Sequence, residues 1–193
     1  MRKFLLAIIA ILVYGQILAQ EDHTHLKFMG IPIDGPISTF VKQLEQKDFT
    51  TKTDNDKAVF MEGVFANKDC EIFVVPTQET KIVWKVAVIY KQEYTNWSSI
   101  QTDFDDIKEL YTRKYGQPAY DYHFFSSPYE LGDGYEMSAL KLDKCKYFTA
   151  YKLKSGYISI QMISSCQIMI SYEDAINSDI DTQESEKAIL EDI

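Results

Sequence analysis

Covalent chemistry in this 193-residue chain would begin with three cysteines, Cys70, Cys145 and Cys166. An odd number allows one disulfide and one spare thiol. If Ser155-Gly156 is a two-residue turn, Lys154 faces Tyr157 across the hairpin and Cys145 faces Cys166. That pair falls at a non-hydrogen-bonded position, with Cα atoms about 4.5 Å apart, short but bridgeable. A Cys145–Cys166 disulfide is therefore the first expectation. Two alternatives stay open: a bend at Ser164-Ser165 that moves Cys166 onto the next strand, and a bridge between Cys70 and Cys145.

Binding chemistry has two candidates. Tyr120, Tyr122, His123, Phe124, Phe125 and Tyr129 form a dense aromatic stretch beside the long loop Ser126 to Asp133. If exposed it is a partner or ligand site; if alternate residues turn inward it is core. The same hairpin register sorts the following strands into faces. Tyr147, Thr149, Tyr151 and Leu153 join Ile158, Ile160 and Met162 on a face that reads as core. Lys146, Phe148, Lys152, Tyr157, Ser159 and Gln161 share the other, a recognition surface or an ordinary solvated one.

Catalytic signatures are missing. The chain has no Gly-x-Ser-x-Gly elbow, Gly-rich phosphate loop or His-Glu-x-x-His. His23 and His25 lie near the start of the mature chain and His123 stands alone, so a His-based triad is hard to build. The two N-terminal histidines would point the same way on an extended segment, the start of a metal site if a further ligand joined them and otherwise idle. Asp103, Asp105 and Asp106 lack the glycine and distal Glu of a calcium loop and read as a solvated helix face. Carboxylate pairs are available but none is singled out. Nothing calls for a cofactor.

The elements that must carry these residues begin after an export leader. Arg2 and Lys3 precede an apolar run from Phe4 to Tyr14, and Ala19 offers a small residue for cleavage before Gln20. The run is shorter than the about twenty residues a membrane span needs, and the position after the cut holds no Cys for a lipid anchor. Residues 1–19 are therefore read as a signal peptide and the mature protein as periplasmic or secreted. The formal net charge of −9 becomes more negative once Arg2 and Lys3 leave. That argues against nucleic acid as a partner, since phosphate binding needs a basic surface, and against docking on anionic membranes.

Beyond the leader, Pro36 starts a short helix with Ile37, Phe40, Val41 and Leu44 on one stripe. Strand patterns follow at Phe49 to Thr53, Ala58 to Ala66, Cys70 to Val75 and Lys81 to Lys91. A long helix, capped by Thr95 or Asn96, places Trp97, Ile100, Phe104, Ile107 and Leu110, with Tyr111, inward and ends at Gly116 and Pro118. Asn96 also opens the glycosylation sequon Asn96-Trp97-Ser98, but has a better account as the cap. Strands resume at Tyr120 to Phe125, Tyr135 to Leu142, Cys145 to Leu153 and Tyr157 to Ile163; the last runs on or folds back into Gln167 to Tyr172. The acidic tail 173–193 carries a possible short helix over Glu184 to Asp192.

The order, a helix and four strands given twice, prompts a search for a repeat. Val41, Leu44 and Phe49 align with Ile107, Leu110 and Tyr115, and Asn67-Lys68-Asp69-Cys70 with Leu142-Asp143-Lys144-Cys145. The expectation is an α+β protein of two similar halves, 20–94 and 95–172, each a helix on a four-stranded antiparallel sheet, packed as one unit.

This tandem layout in an exported chain resembles the beta-lactamase inhibitor protein fold, which implies a continuous sheet whose concave face binds a partner enzyme; no partner-contact residue of that family transfers to a position here. The segment His25 to Gly35, with Lys85-Val86-Ala87-Val88 and Cys145-Lys146-Tyr147, also resembles a group of small exported proteins from gut-type bacteria. Together these imply a non-catalytic binding protein that inhibits or scaffolds an unknown protein or envelope component. The alternatives are an envelope hydrolase using sheet carboxylates and a purely structural envelope protein.

Overall fold

The computed structural model describes residues 24–55 and 57–192; the leader, residues 1–19, lies outside them, as does His23. β1 (Lys27–Phe28) and β2 (Ile31–Pro32) make a small hairpin, turned at Met29 and Gly30 with φ of 50° and 83°. Then come α1 (Ile37–Glu45), β3 (Thr50–Asn55), β4 (Ala58–Phe65), β5 (Lys68–Pro76) and β6 (Val83–Tyr90). After them follow α2 (Trp97–Tyr115), β7 (Tyr120–Phe125), α3 (Glu136–Lys141), β8 (Cys145–Leu153), β9 (Gly156–Ile163), β10 (Gln167–Asp174) and α4 (Ala175–Asp192). The chain is α+β, with one 8-stranded sheet in the order β3-β4-β5-β6-β10-β9-β8-β7 beside the small hairpin. Every neighbouring pair in the large sheet is antiparallel.

The core lies on one face of this sheet. Alternation sends Met61, Ile72, Val74, Val86, Val88, Ile170 and Ile160 to that face, all buried. Phe40 and Leu44 of α1 and Ile100, Phe104 and Ile107 of α2 close over them. Asn96 caps α2, its side chain accepting from Ser99 N–H at 2.9 Å. Leu110, expected on the buried stripe of α2, is 56% exposed. Tyr111 takes the inward place, its hydroxyl bonded to that of Tyr172.

The chain ends lock together beneath the sheet. Asp174, fully buried, accepts from Leu26 N–H at 2.7 Å and Asn177 N–H at 3.0 Å, and His25 Nδ1 lies 3.0 Å away. The Asn177 amide donates to the carbonyls of Ile33 and Val83. His25 therefore takes part in a carboxylate network, with Asp34 3.5 Å from its other nitrogen. The acidic tail forms the long α4, capped at its start by Asp174. Glu184 ties it to the β5–β6 loop by accepting from Glu79 N–H, Thr80 N–H and the Thr80 hydroxyl. Among the described residues no helix is long and apolar enough to cross a membrane.

Two expectations are corrected. Tyr135 to Leu142, read as a strand, contains the helix Glu136–Lys141. Its buried residues, Glu136, Ala139 and Leu140, follow helical spacing, and Glu, Met, Ala, Leu and Lys are strong helix formers. The fourth strand of the second set is instead β10, reached by folding back at Ser164-Ser165. The alignment of Cys70 with Cys145 consequently sets the third strand of one quartet, β5, on the second of the other, β8, and does not follow strand order.

The Cys145–Cys166 disulfide is not formed, and all three cysteines are buried free thiols. The hairpin turns at Lys154-Ser155, pairing Leu153 with Gly156, which shifts the register by two residues and keeps the faces but not the cysteine partners. Cys166 sits in the β9–β10 turn with φ 60°, and its carbonyl accepts from Tyr94 N–H.

Burial pushes the Cys70 thiol up to about 11 and the Cys145 thiol up to about 12, so neither presents much thiolate at pH 8. A thiol-reactive dye at pH 8 should label the native protein slowly, and denaturation should release all three thiols; release of only one would mean a bridge has formed. Gly156 has φ 147°, and a Cβ there would lie 2.0 Å from the Glu173 carbonyl oxygen. Gly156→Ala should cost about 3 kcal/mol, a fall of roughly 6–12 °C in Tm by calorimetry.

Candidate functional site

The two faces of the large sheet are unequally covered. Residues that alternate with the core set point away from α1 and α2, and the strand registers place them side by side. Tyr122 is opposite Phe148, Phe148 opposite Gln161, and Gln161 opposite Met169. Met169 is opposite Ile89, Ile89 opposite Glu71, and Glu71 opposite Glu62. One row of the pleat thus crosses from the β7 edge to β4, beside the β3 edge. Parallel to it runs a second row through Tyr120, Ala150, Ser159, Ser171, Ala87, Phe73 and Phe60.

Aromatic rings gather at both ends of these rows. Tyr120 and Tyr122 stack with centroids 6.2 Å apart, and Tyr122 stacks on Phe148 at 6.2 Å. Phe60 and Phe73 lie 5.2 Å apart. Lysines sit over two of the rings: Lys146 Nζ is 5.6 Å from the Phe148 centroid and Lys152 Nζ 5.7 Å from that of Tyr157. Tyr120, Tyr122, Phe124 and Tyr157 are 46%, 47%, 50% and 37% exposed. The middle of the face is small and flat, with Ala87, Ala150 and Ser171 buried between larger neighbours.

The structure therefore brings together four of the aromatic residues expected to bind, Tyr120, Tyr122, Phe124 and Tyr157, and separates two from them. Phe125 points to the covered side, packed on Trp97 at 5.4 Å and on Tyr147 at 6.2 Å. Tyr129 packs half-buried against the core. His123 also points to the covered side, stacked on Tyr147 with centroids 4.4 Å apart and with Nε2 3.1 Å from Asp121 Oδ1. Sequence reasoning missed the distant part of the face, Phe60, Phe73, Ile89 and Met169. The signal was available as the residues alternating with Met61, Ile72, Val88 and Ile170 in strands read only for their core.

Two carboxylates on this face, Glu62 and Glu173, are engaged by lysines. Glu62 lies 2.9 Å from Lys91 and 3.1 Å from Lys52, and these bonds, Lys91 foremost, hold its carboxyl below the ordinary range. Glu173 pairs with Lys85 at 2.8 Å. A general acid working near neutral pH needs the opposite shift. On the covered side, a concavity of about 770 Å³ lies between the N-terminal segment and α2, lined in part by His25, Met29, Tyr111, Lys114 and Tyr115. Burial raises the phenols of Tyr111 and Tyr172 there, so they serve as hydrogen-bonding groups and stay protonated.

The chain matches no protein-family model, no curated protein and no solved structure.

A residue on a bare face and one in the core differ in what their loss costs. Phe148→Ser should lower stability by about 1 kcal/mol or less, whereas Phe104→Ala, emptying a fully buried site, should cost about 3–5 kcal/mol. Urea melts of the two variants check this; equal losses would mean that the face around Phe148 is covered.

Proposed function

We propose that the chain is an exported, non-catalytic binding protein that presents the bare face of its sheet to a protein or envelope component, inhibiting or scaffolding it. The observation that carries this reading is the row of mutually stacked rings from the exposed Tyr120 and Tyr122 to the half-buried Phe148, with exposed Tyr157 beside it. Such rings offer large contact area at low conformational cost, and aromatic residues dominate the energetic centres of interfaces. The apolar face exceeds scattered surface hydrophobics, since registered neighbours carry it across the sheet. A helix followed by four strands, given twice and joined in one continuous sheet, supports the same reading through its likeness to the beta-lactamase inhibitor protein fold. The leader supports a periplasmic or secreted site of action, and the acidic balance disfavours nucleic acid as partner.

An envelope hydrolase is the rival. The lysine pairs on Glu62 count against it, because they stabilise its ionised carboxylate rather than a proton donor.

The test is capture of envelope components from the source organism by the immobilised protein, followed by measured affinity for what is captured. Phe148→Ala combined with Tyr157→Ala should weaken binding at least about tenfold. Leu131→Ala and Leu142→Ala, changing residues 60% and 59% exposed elsewhere, should leave it unchanged. Binding that survives loss of both rings removes this face as the site. No capture, together with cell-wall or glycan turnover abolished by Glu62→Gln, establishes the rival.

A further inference from the structure

The two edges of the large sheet are built differently. β3 is polar along its length, with Lys52 and Asp54, and a register irregularity falls between Thr51 and Thr53. Charge and bulges are the usual means of keeping a sheet edge from pairing. β7, Tyr-Asp-Tyr-His-Phe-Phe, carries four aromatic residues and no proline, lysine or glycine, and its register with β8 is unbroken from Tyr120 to Phe125.

The backbone of β7 is half-used. Ser126 N–H donates to Lys144 O in line with the β7–β8 register, and Ala119 N–H donates to Ala150 O, the partner of Tyr120. Hydrogen-bonded and non-hydrogen-bonded pairs alternate in an antiparallel ladder. The even-numbered residues of β7 thus bond to β8, and the N–H and C=O groups of Asp121, His123 and Phe125 face outward along the open edge.

We propose that β7 pairs antiparallel with β7 of a second copy of this chain, about a two-fold axis through Tyr122. This register satisfies three conditions at once. Outward-facing Asp121 meets outward-facing His123 of the second copy, so each such pair exchanges two backbone hydrogen bonds. Bare faces stay on one side, with Tyr122 against Tyr122 and Tyr120 against Phe124 of the second copy. Side chains are compatible, since the acceptor Asp121 is set opposite a histidine, which can donate a ring N–H, in both halves of the seam. Shifting the axis to His123 also fits the backbone but sets two histidines against each other and leaves Tyr120 without an aromatic partner. The self-matching order of side chains is what selects a second copy over an unrelated strand. The dimer carries one continuous sheet of both chains, and the proposal stands apart from the binding function above, because mass reads it with no partner present.

Sedimentation velocity of the purified protein over a wide concentration range tests it. A concentration-dependent dimer is expected, with Tyr122→Lys setting two cations face to face on the axis and weakening the dimer at least about tenfold while the far-UV circular dichroism stays that of the parent. Tyr122→Cys should cross-link to a covalent dimer under mild oxidation, since a non-hydrogen-bonded pair brings its Cα atoms to about 4.5 Å. Val64→Cys, exposed elsewhere on the sheet, should not. A monomer at every concentration, a dimer untouched by Tyr122→Lys, or a dimer without the cross-link at position 122 overturns the proposal.

Discussion

The pairing of β6 with β10 is the constraint on which the rest depends. It joins the strands that precede α2 to those that follow it, from Lys85 opposite Glu173 to Ile89 opposite Met169. Without it, each set would end in a strand with its backbone unpaired, and in β6 that strand is almost wholly apolar. The seam is held mainly by burial. Val86, Val88, Ile170 and Tyr172 face the helices and are closed over by Phe28 and Phe65, whose rings contact Tyr172. The Lys85–Glu173 pair across it is about one-third exposed and adds little beyond register. On the opposite face, the seam is lined by Ala87 and Ser171, whose small side chains leave it flat.

From that seam follows the need for the terminal lock. β10 runs straight into α4, and the turn between them is made at Asp174, a carboxylate with no exposure to water. A buried charge is tolerated only when its oxygens are bonded. Leu26 and Asn177 supply backbone donors from the two ends of the described chain, and His25 adds a ring nitrogen. The buried Asn177 amide then bonds to backbone at Ile33 and Val83, so the N-terminal segment, the start of β6 and the start of α4 are fixed at one point. Acidity in the tail, which alone suggests a solvated end, is here partly structural, because Glu184 satisfies the N–H groups of the β5–β6 loop.

Period-two and period-3.6 patterns made much of this legible. The strands at Ala58–Phe65, Lys68–Pro76 and Val83–Tyr90 and the helix capped at Asn96 stand close to their expected bounds. The faces of β8 and β9 were legible too, since a register error of two residues preserves alternation. The same error decides the cysteines, because partners, unlike faces, depend on the absolute register. Tyr135 to Leu142 misled because alternate apolar residues over a few positions fit a strand and a helical turn alike. Of the pair Leu110 and Tyr111 set on the buried stripe, only Tyr111 stays there, because a helix on a sheet buries a narrow stripe and Tyr111 can hydrogen-bond Tyr172. Aromatic density marked the β7 end of the candidate site. The β4–β5 end was not legible as surface, because the sequence does not say that helices cover only one side.

That one-sidedness sets the chemistry of the bare face. A sheet left open to water on a side rich in phenylalanine and tyrosine invites indiscriminate association, and the lysines answer it. Lys146 and Lys152 lie over Phe148 and Tyr157 within cation–π range, placing a hydrated charge beside each ring. Lys52 and Lys91 are spent on Glu62 toward the other edge of the sheet, and Lys85 on Glu173 at the central seam. The stack of Tyr120, Tyr122 and Phe148 already restricts the rotamers that a binding partner would otherwise have to order, so part of the entropic cost of recognition is met in the free protein. A partner of the proposed kind would meet the rings first, because Ala87, Ala150 and Ser171 lie buried between larger neighbours.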